Sequence, residues 1–206
     1  MGRKILYVGL DCETSSDSLA GGGKLIQIGL AKFCSDESVE SLSLTIRQSE
    51  SEMVWDEEAA AVHKITKEEI AGAKSAEEVD QLCVDFVNEQ WNLKSLSGSY
   101  KLIPVGFDVG AFDMPFVKAT LPKLSKLFGR QSLDLNSICF GLSVARAAGP
   151  EDSGDEMQRW KRSSISYAHE KLSDATYSNR EGWWEHNAGY DAAEGLLALQ
   201  YLAANL

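Results

Sequence analysis

The sequence predicts an α/β domain built on a mixed five-stranded sheet flanked by helices. Three observations predict it. Three consecutive strand-like runs open the chain. Helical periodicity then alternates with two further short strands. A long amphipathic helix closes the chain.

Taken in order, Ile5 to Asp11 is an apolar, β-branched run. Ser15 to Gly23 reads as a loop ending in the turn Gly21-Gly22-Gly23. Leu25 to Phe33 is the second strand. In Val39 to Ile46, Val39, Ser41, Ser43 and Thr45 alternate with Leu42, Leu44 and Ile46, as on a half-buried third strand. These three form an antiparallel meander. Thr66 followed by Glu69 is a capping box that opens a short helix. Ala76 to Trp91 carries Val79, Leu82, Cys83, Phe86 and Val87 at helical spacing. After a loop from Leu93 to Ser99, Leu102 to Phe107 is a buried strand. Val109 to Leu121 is helical, and Ser132 to Leu135 is the fifth strand. Leu135 to Ala148 and Ser166 to Leu172 are helical. Between them, Gly149 to Glu156 is acidic and turn-rich and reads as a surface loop. Asn187 caps the last helix, which runs to Ala204.

Composition narrows the function classes. A chain of 206 residues fits a single domain spanning 1–206, and such a domain buries roughly 70% of its unfolded surface. It needs no staple, so a metal here serves chemistry rather than folding. Cys12, Cys34, Cys83 and Cys139 form no CxxC pair, which excludes a zinc knuckle and a redox dithiol and suits the cytoplasm. No run approaches the ~20 apolar residues of a membrane span. The run from Ile5 to Leu10 is too short for a signal peptide. Leu6 stands where a myristoylated Gly2 would require Ser or Thr. The net charge of −11 argues against a non-specific duplex coat protein. It is compatible with an enzyme that holds a short strand briefly.

The chemistry-bearing residues are mostly acidic. Asp11 and Glu13 stand two apart at a strand end, hence on one face. They repel unless a cation lies between them. Alone, Asp-x-Glu reads better as a solvated strand end. Asp113 is flanked by apolar residues on both sides, where an ionised carboxylate is costly unless paired or metal-bound. It is expected a full turn into its helix, whereas Asp108 suits the helix start. His186 stands in the loop before the last helix, and Asp191 in its second turn faces the sheet. Phosphodiester hydrolysis needs charge neutralised on the attacking, leaving and non-bridging oxygens, which two hard cations about 4 Å apart supply. Mg²⁺ or Mn²⁺ suits four acids and no cysteine ligand. An imidazole with a near-neutral pKa suits a base that takes the proton of the attacking water.

Leu10-Asp11-Cys12-Glu13-Thr14, Gly106 to Phe116 and His186-Asn187-Ala188-Gly189-Tyr190-Asp191-Ala192 resemble, in that order, the three exonuclease motifs of the DEDD superfamily. The His-x4-Asp spacing resembles the DEDDh, DnaQ-like branch. Ala61 to Thr66 resembles that family's Val-His-Gly-Ile-Thr stretch. The likeness runs from about Tyr7 to Leu199. It implies an RNase H-like fold and 3′→5′ release of nucleoside monophosphates. Asp11, Glu13, Asp113 and Asp191 would hold two cations, with His186 as general base. It also implies that Thr14, His63 and Phe112 meet the 3′-terminal nucleotide, although Phe112 and Phe116 flank Asp113 at core-like spacing. Two departures stand out: Phe107-Asp108 where the family often has His-Asn, and Lys64 where it has Gly. A second His-x4-Asp, His169 and Asp174, precedes no long apolar helix and lacks the following alanine, so His169 is expected on a helix surface.

Arg159-Trp160-Lys161-Arg162 is the one tight basic-aromatic cluster. Its cations suit phosphates. Trp160 suits either base stacking, worth ~1–3 kcal/mol, or packing against the body. Trp183 and Trp184 suit packing better. The expected activity is trimming of a single-stranded or frayed 3′ end, with DNA slightly favoured. RNA end-trimming of the ribonuclease T or oligoribonuclease kind is the alternative. A catalytically silent nucleic-acid-binding module is a third reading, and the presence of all five positions counts against it. A polymerase or repair complex is the kind of partner implied. A homodimer is compatible with the sequence, which leaves the oligomeric state open.

Overall fold

The apolar run that opens the chain becomes the central strand of one five-stranded sheet. A computed structural model describes residues 4–34, 38–96, 100–146, 153–173 and 186–205. Strands β1 (Lys4–Thr14), β2 (Leu25–Phe33) and β3 (Val39–Thr45) form the expected antiparallel meander. β4 (Tyr100–Gly106) lies parallel to β1 on its other side, and β5 (Leu133–Asp134) lies parallel to β4. The order is β3-β2-β1-β4-β5, the mixed sheet predicted. The parallel β1–β4 pair requires a crossover. Helices α1 (Glu57–His63), α2 (Lys67–Gly72) and α3 (Ala76–Gln90) supply it.

Local chemistry sets the helix starts. Thr66–Glu69 and Ser75–Glu78 are reciprocal capping boxes at α2 and α3. The buried Asp80 of α3 accepts the Lys123 and Leu124 backbone N–H groups at 2.8 Å each. It thereby holds the first turn of α5 (Pro122–Leu127).

Strand alternation divides the core. Leu6, Val8, Leu10 and Cys12 of β1 face α3, α4 (Asp113–Thr120) and α5. On the opposite face, α6 (Leu135–Arg146), α7 (Ser153–Leu172) and α8 (Ala188–Ala204) enclose Ala31, Val105, Cys139, Ala192 and Leu196. β2 is covered on both faces, so Leu25 to Ala31 is buried without interruption. No described helix is long and apolar enough to cross a membrane.

Two expectations are corrected. The helix expected over Val109–Leu121 begins only at Asp113. Asp108 takes a left-handed φ of 56° and its carbonyl accepts the Ala111 and Phe112 N–H groups, which makes 108–112 a turn. The acidic loop expected over 149–156 is helical from Ser153 on, because α7 is 20 residues long. Asp155 and Glu156 fall in its first turn, where the helix dipole favours anions. Residues 149–152 lie outside the described residues.

Candidate active site

β1 ends Asp11-Cys12-Glu13-Thr14, and the pleat turns Asp11 and Glu13 toward α8 and Cys12 away from it. Asp11 is registered against Gly29 and Glu13 against Gln27 of β2. Carboxylate oxygens of Asp11, Glu13 and Asp191 all lie within 4.8 Å of one another.

Asp191 arrives there because α8 lies against bare backbone. A Cβ on Gly29 would come within 1.8 Å of the Ala188 carbonyl oxygen, and one on Gly9 within 2.2 Å of that of Ala192. Only glycine permits this approach. The first turn of α8 is fixed from two sides. Asn187 Oδ1 accepts the Gly189 N–H at 3.0 Å, as the expected N-cap, and Gln27 Oε1 accepts the Ala188 N–H at 2.9 Å. Gln27 escapes a sequence reading because its partner is far away in the chain. The signal is there in the sequence: Gln27, Gly29 and Ala31 are the polar and small residues that alternate with Ile26, Ile28 and Leu30.

Asp113 lies outside the 4.8 Å group but acts on it. It is the first residue of α4 rather than a full turn in, and it is 2% exposed. Cys12 is more than the small hydrophobe the sequence suggests. Burial, then the Asp113 charge, push its thiol well above the ordinary range, so it stays protonated and donates to Asp113.

Electrostatics tie the four acids together. Burial, then the charges of Asp113, Asp191, Glu13 and Glu194, push the Asp11 carboxyl well above its usual value. Burial and Asp113 push Glu13 up to about 7. Burial raises Asp113 to about 7 against the opposing hydrogen bonds from Cys12 and from its own backbone. Among the described residues, no lysine or arginine pairs with Asp11 or Glu13. Oxygen donors this close, each disfavouring its neighbours' charge, fit a hard divalent cation.

His186 is half-buried and holds a left-handed φ of 64°, a conformation that costs a non-glycine residue of order 1 kcal/mol. Its backbone N–H donates to Asp191 Oδ1 at 3.4 Å, so the loop residue is tied to the acid five positions on. Trp183, Trp184 and Asp174 lie outside the described residues.

The expected substrate contacts fall into two groups. Thr14 is buried at a register shift that ends β1. His63 is 2% exposed, accepts the Ile65 N–H at Nδ1 and leaves Nε2 without a partner. Burial lowers its pKa. Lys64 takes φ 59° at the end of α1, a left-handed turn that glycine would adopt more easily. Phe112 packs on Phe116 with ring centroids 5.4 Å apart and the rings tilted by 53°. The basic cluster is spread around α7. Arg162 is exposed, and Arg159 pairs with Glu156 at 2.9 Å. Lys161 Nζ sits 4.9 Å from the Phe107 ring centroid, beside the end of β4. Trp160 corrects the stacking expectation: it is 8% exposed, packed on Tyr201 and covered by the Arg146 guanidinium at 4.7 Å. Its faces serve the core. His169, expected on a helix surface, is half-exposed and bonded to Glu194 of α8.

The fold class is that of exonuclease I-like proteins, the RNase H-like architecture. A zinc-bound form of the complex of E. coli Exonuclease I with single-stranded DNA aligns with a TM-score of 0.59 at 15% identity, covering 98% of this chain and 41% of that one. Its complex with a dA13 oligonucleotide aligns at 0.57 and 14% identity, covering 97% and 40%. Cell-death related nuclease 4 aligns at 0.52 and 15%, covering 97% and 64%. The chain thus spans about 40% of the Exonuclease I chain. No family profile matches the chain, and no curated protein matches it significantly.

Proposed function

We propose that this chain is a metal-dependent 3′→5′ exonuclease acting as a single domain on single-stranded or frayed nucleic acid and releasing nucleoside monophosphates. The observation that carries the reading is the meeting of Asp11, Glu13 and Asp191 within 4.8 Å, from strand and helix, with Asp113 acting on them. These four acids would hold two divalent cations, Mg²⁺ or Mn²⁺. When bound, such ions neutralise charge on the attacking and leaving oxygens of a phosphodiester. His186, one residue before the capped helix, takes the proton of the attacking water on a ring nitrogen. Phe112 meets the terminal nucleotide, and Thr14 and His63, both buried, support the pocket from behind rather than touch it. Arg159, Lys161 and Arg162 meet phosphates. DNA is the favoured substrate, a choice supported by the oligodeoxynucleotide complexes of the Exonuclease I neighbours.

The test is release of mononucleotides from a 5′-labelled single strand by the purified chain with Mg²⁺ or Mn²⁺. EDTA, Asp11→Ala and Asp191→Ala each abolish it. Full activity in His186→Ala would remove that residue from its role. Retained activity in both aspartate variants would overturn the reading. Matched DNA and RNA strands, single and duplex, run side by side decide the substrate.

A further inference from the structure

One acidic group close to this centre has no role in the reaction described above. Glu194 stands three residues after Asp191 on α8, so the two are neighbours on one helix face. Ala192, between them, rests on Gly9, two residues before Asp11 on β1. Glu194 is 12% exposed on its side chain. It is held from α7: His169 Nε2 donates to its Oε2 at 2.5 Å, and the His169 ring lies 5.9 Å from that of Tyr190. The two helices thus fix a carboxylate one helical turn from Asp191.

We infer that Glu194, anchored by His169, is a positioning residue of the acidic centre, accepting hydrogen bonds from water carried by a cation at Asp11, Glu13 and Asp191. The inference rests on the exonuclease reading. Glu194 is not one of the three carboxylates within 4.8 Å of one another, and the role assigned to it is an outer contact through bound water. Mg²⁺ and similar ions keep several waters, and the groups that orient those waters tune affinity. The Glu194 charge also reaches Asp11, where it adds to the forces that disfavour ionisation. An additional negative charge one helical turn from Asp191 is unfavourable until a cation arrives, a cost that a pair serving only to clasp α7 to α8 would not need to bear.

The test is equilibrium binding of Mn²⁺ to the full chain, read from the electron paramagnetic resonance signal of the free ion, with thermal melting alongside. Glu194→Gln weakens Mn²⁺ binding about 10-fold. His169→Ala weakens it by a smaller factor, about 3-fold, and His169→Gln, which keeps an N–H donor, restores it. A lower melting temperature with unchanged Mn²⁺ affinity in Glu194→Gln would make the pair a clasp and overturn the inference. If that variant fails to fold, the two His169 variants decide: equal affinity in both overturns it. Wild-type protein that binds no Mn²⁺ removes the exonuclease reading as well. Wild-type binding matched by Glu194→Gln removes this inference alone.

Discussion

Glu13 and Asp113 titrate near 7 while metal-free, well above their range in an unfolded chain. The folded state therefore binds more protons than the unfolded state between about pH 4 and pH 7, and stability falls as pH rises through that window. The metal-free protein melts higher at pH 5 than at pH 7.5, by an amount on the order of 2 kcal/mol per carboxylate. Melting in EDTA across pH checks this. Asp113→Asn flattens the profile, since it removes one of the two groups and a cause of the other's shift. Cys12→Ala removes the thiol that donates to Asp113 and raises that carboxyl further. The rate in Mg²⁺ then moves to higher pH, as a pH–rate profile would show. At this scale strand pleat set Asp11 and Glu13 on one face, but it was the ordered likeness to the family's three motifs that joined Asp191 to them. Gln27, the Cys12 thiol and the His169–Glu194 pair were not. Each works by pairing with a residue from another element, and a linear pattern carries no trace of that.

The close seating of α8 on β1 and β2 gives a sharper expectation for the element. Gly29→Ala sets a methyl group against the Ala188 carbonyl, with a cost toward the upper end of about 1–3 kcal/mol. The helix must retreat and take Asp191 with it. Mn²⁺ affinity and melting temperature therefore fall together, measurable by ion titration and calorimetry. Gln27→Leu leaves the buried Ala188 N–H without its acceptor and costs about 1–2 kcal/mol, read as a lower denaturation midpoint. Long elements with clear period, such as β2 and α3, were readable within a residue or two. α1 and α5, of 7 and 6 residues, carry too few turns for a period to declare itself. The apolar pattern over 109–121 was real, but the left-handed Asp108 and the turn it closes delay the helix to Asp113. Gly154, Asp155 and Glu156 read as loop, yet acids suit the first turn of α7.

Over the whole molecule, a ligand that binds only the folded chain adds stability by mass action, so saturating Mg²⁺ or Mn²⁺ raises the melting temperature. About 100-fold excess over the dissociation constant adds about 2.7 kcal/mol. Asp191→Ala abolishes that increment while still melting cooperatively, a contrast calorimetry reads directly. The overall architecture was legible because three strands followed by alternating helix and strand leave few topologies open. The partition into two cores was not, since it depends on which face each helix covers. The trio itself joins a strand within the first 14 residues to a helix starting at residue 188. Synthesis proceeds from the N-terminus at about 5–20 residues per second. A nascent polypeptide therefore exposes Asp11 and Glu13 long before Asp191 leaves the ribosome. The centre closes only once α8 has been made, so a growing chain carries two of the trio's carboxylates without the third until then.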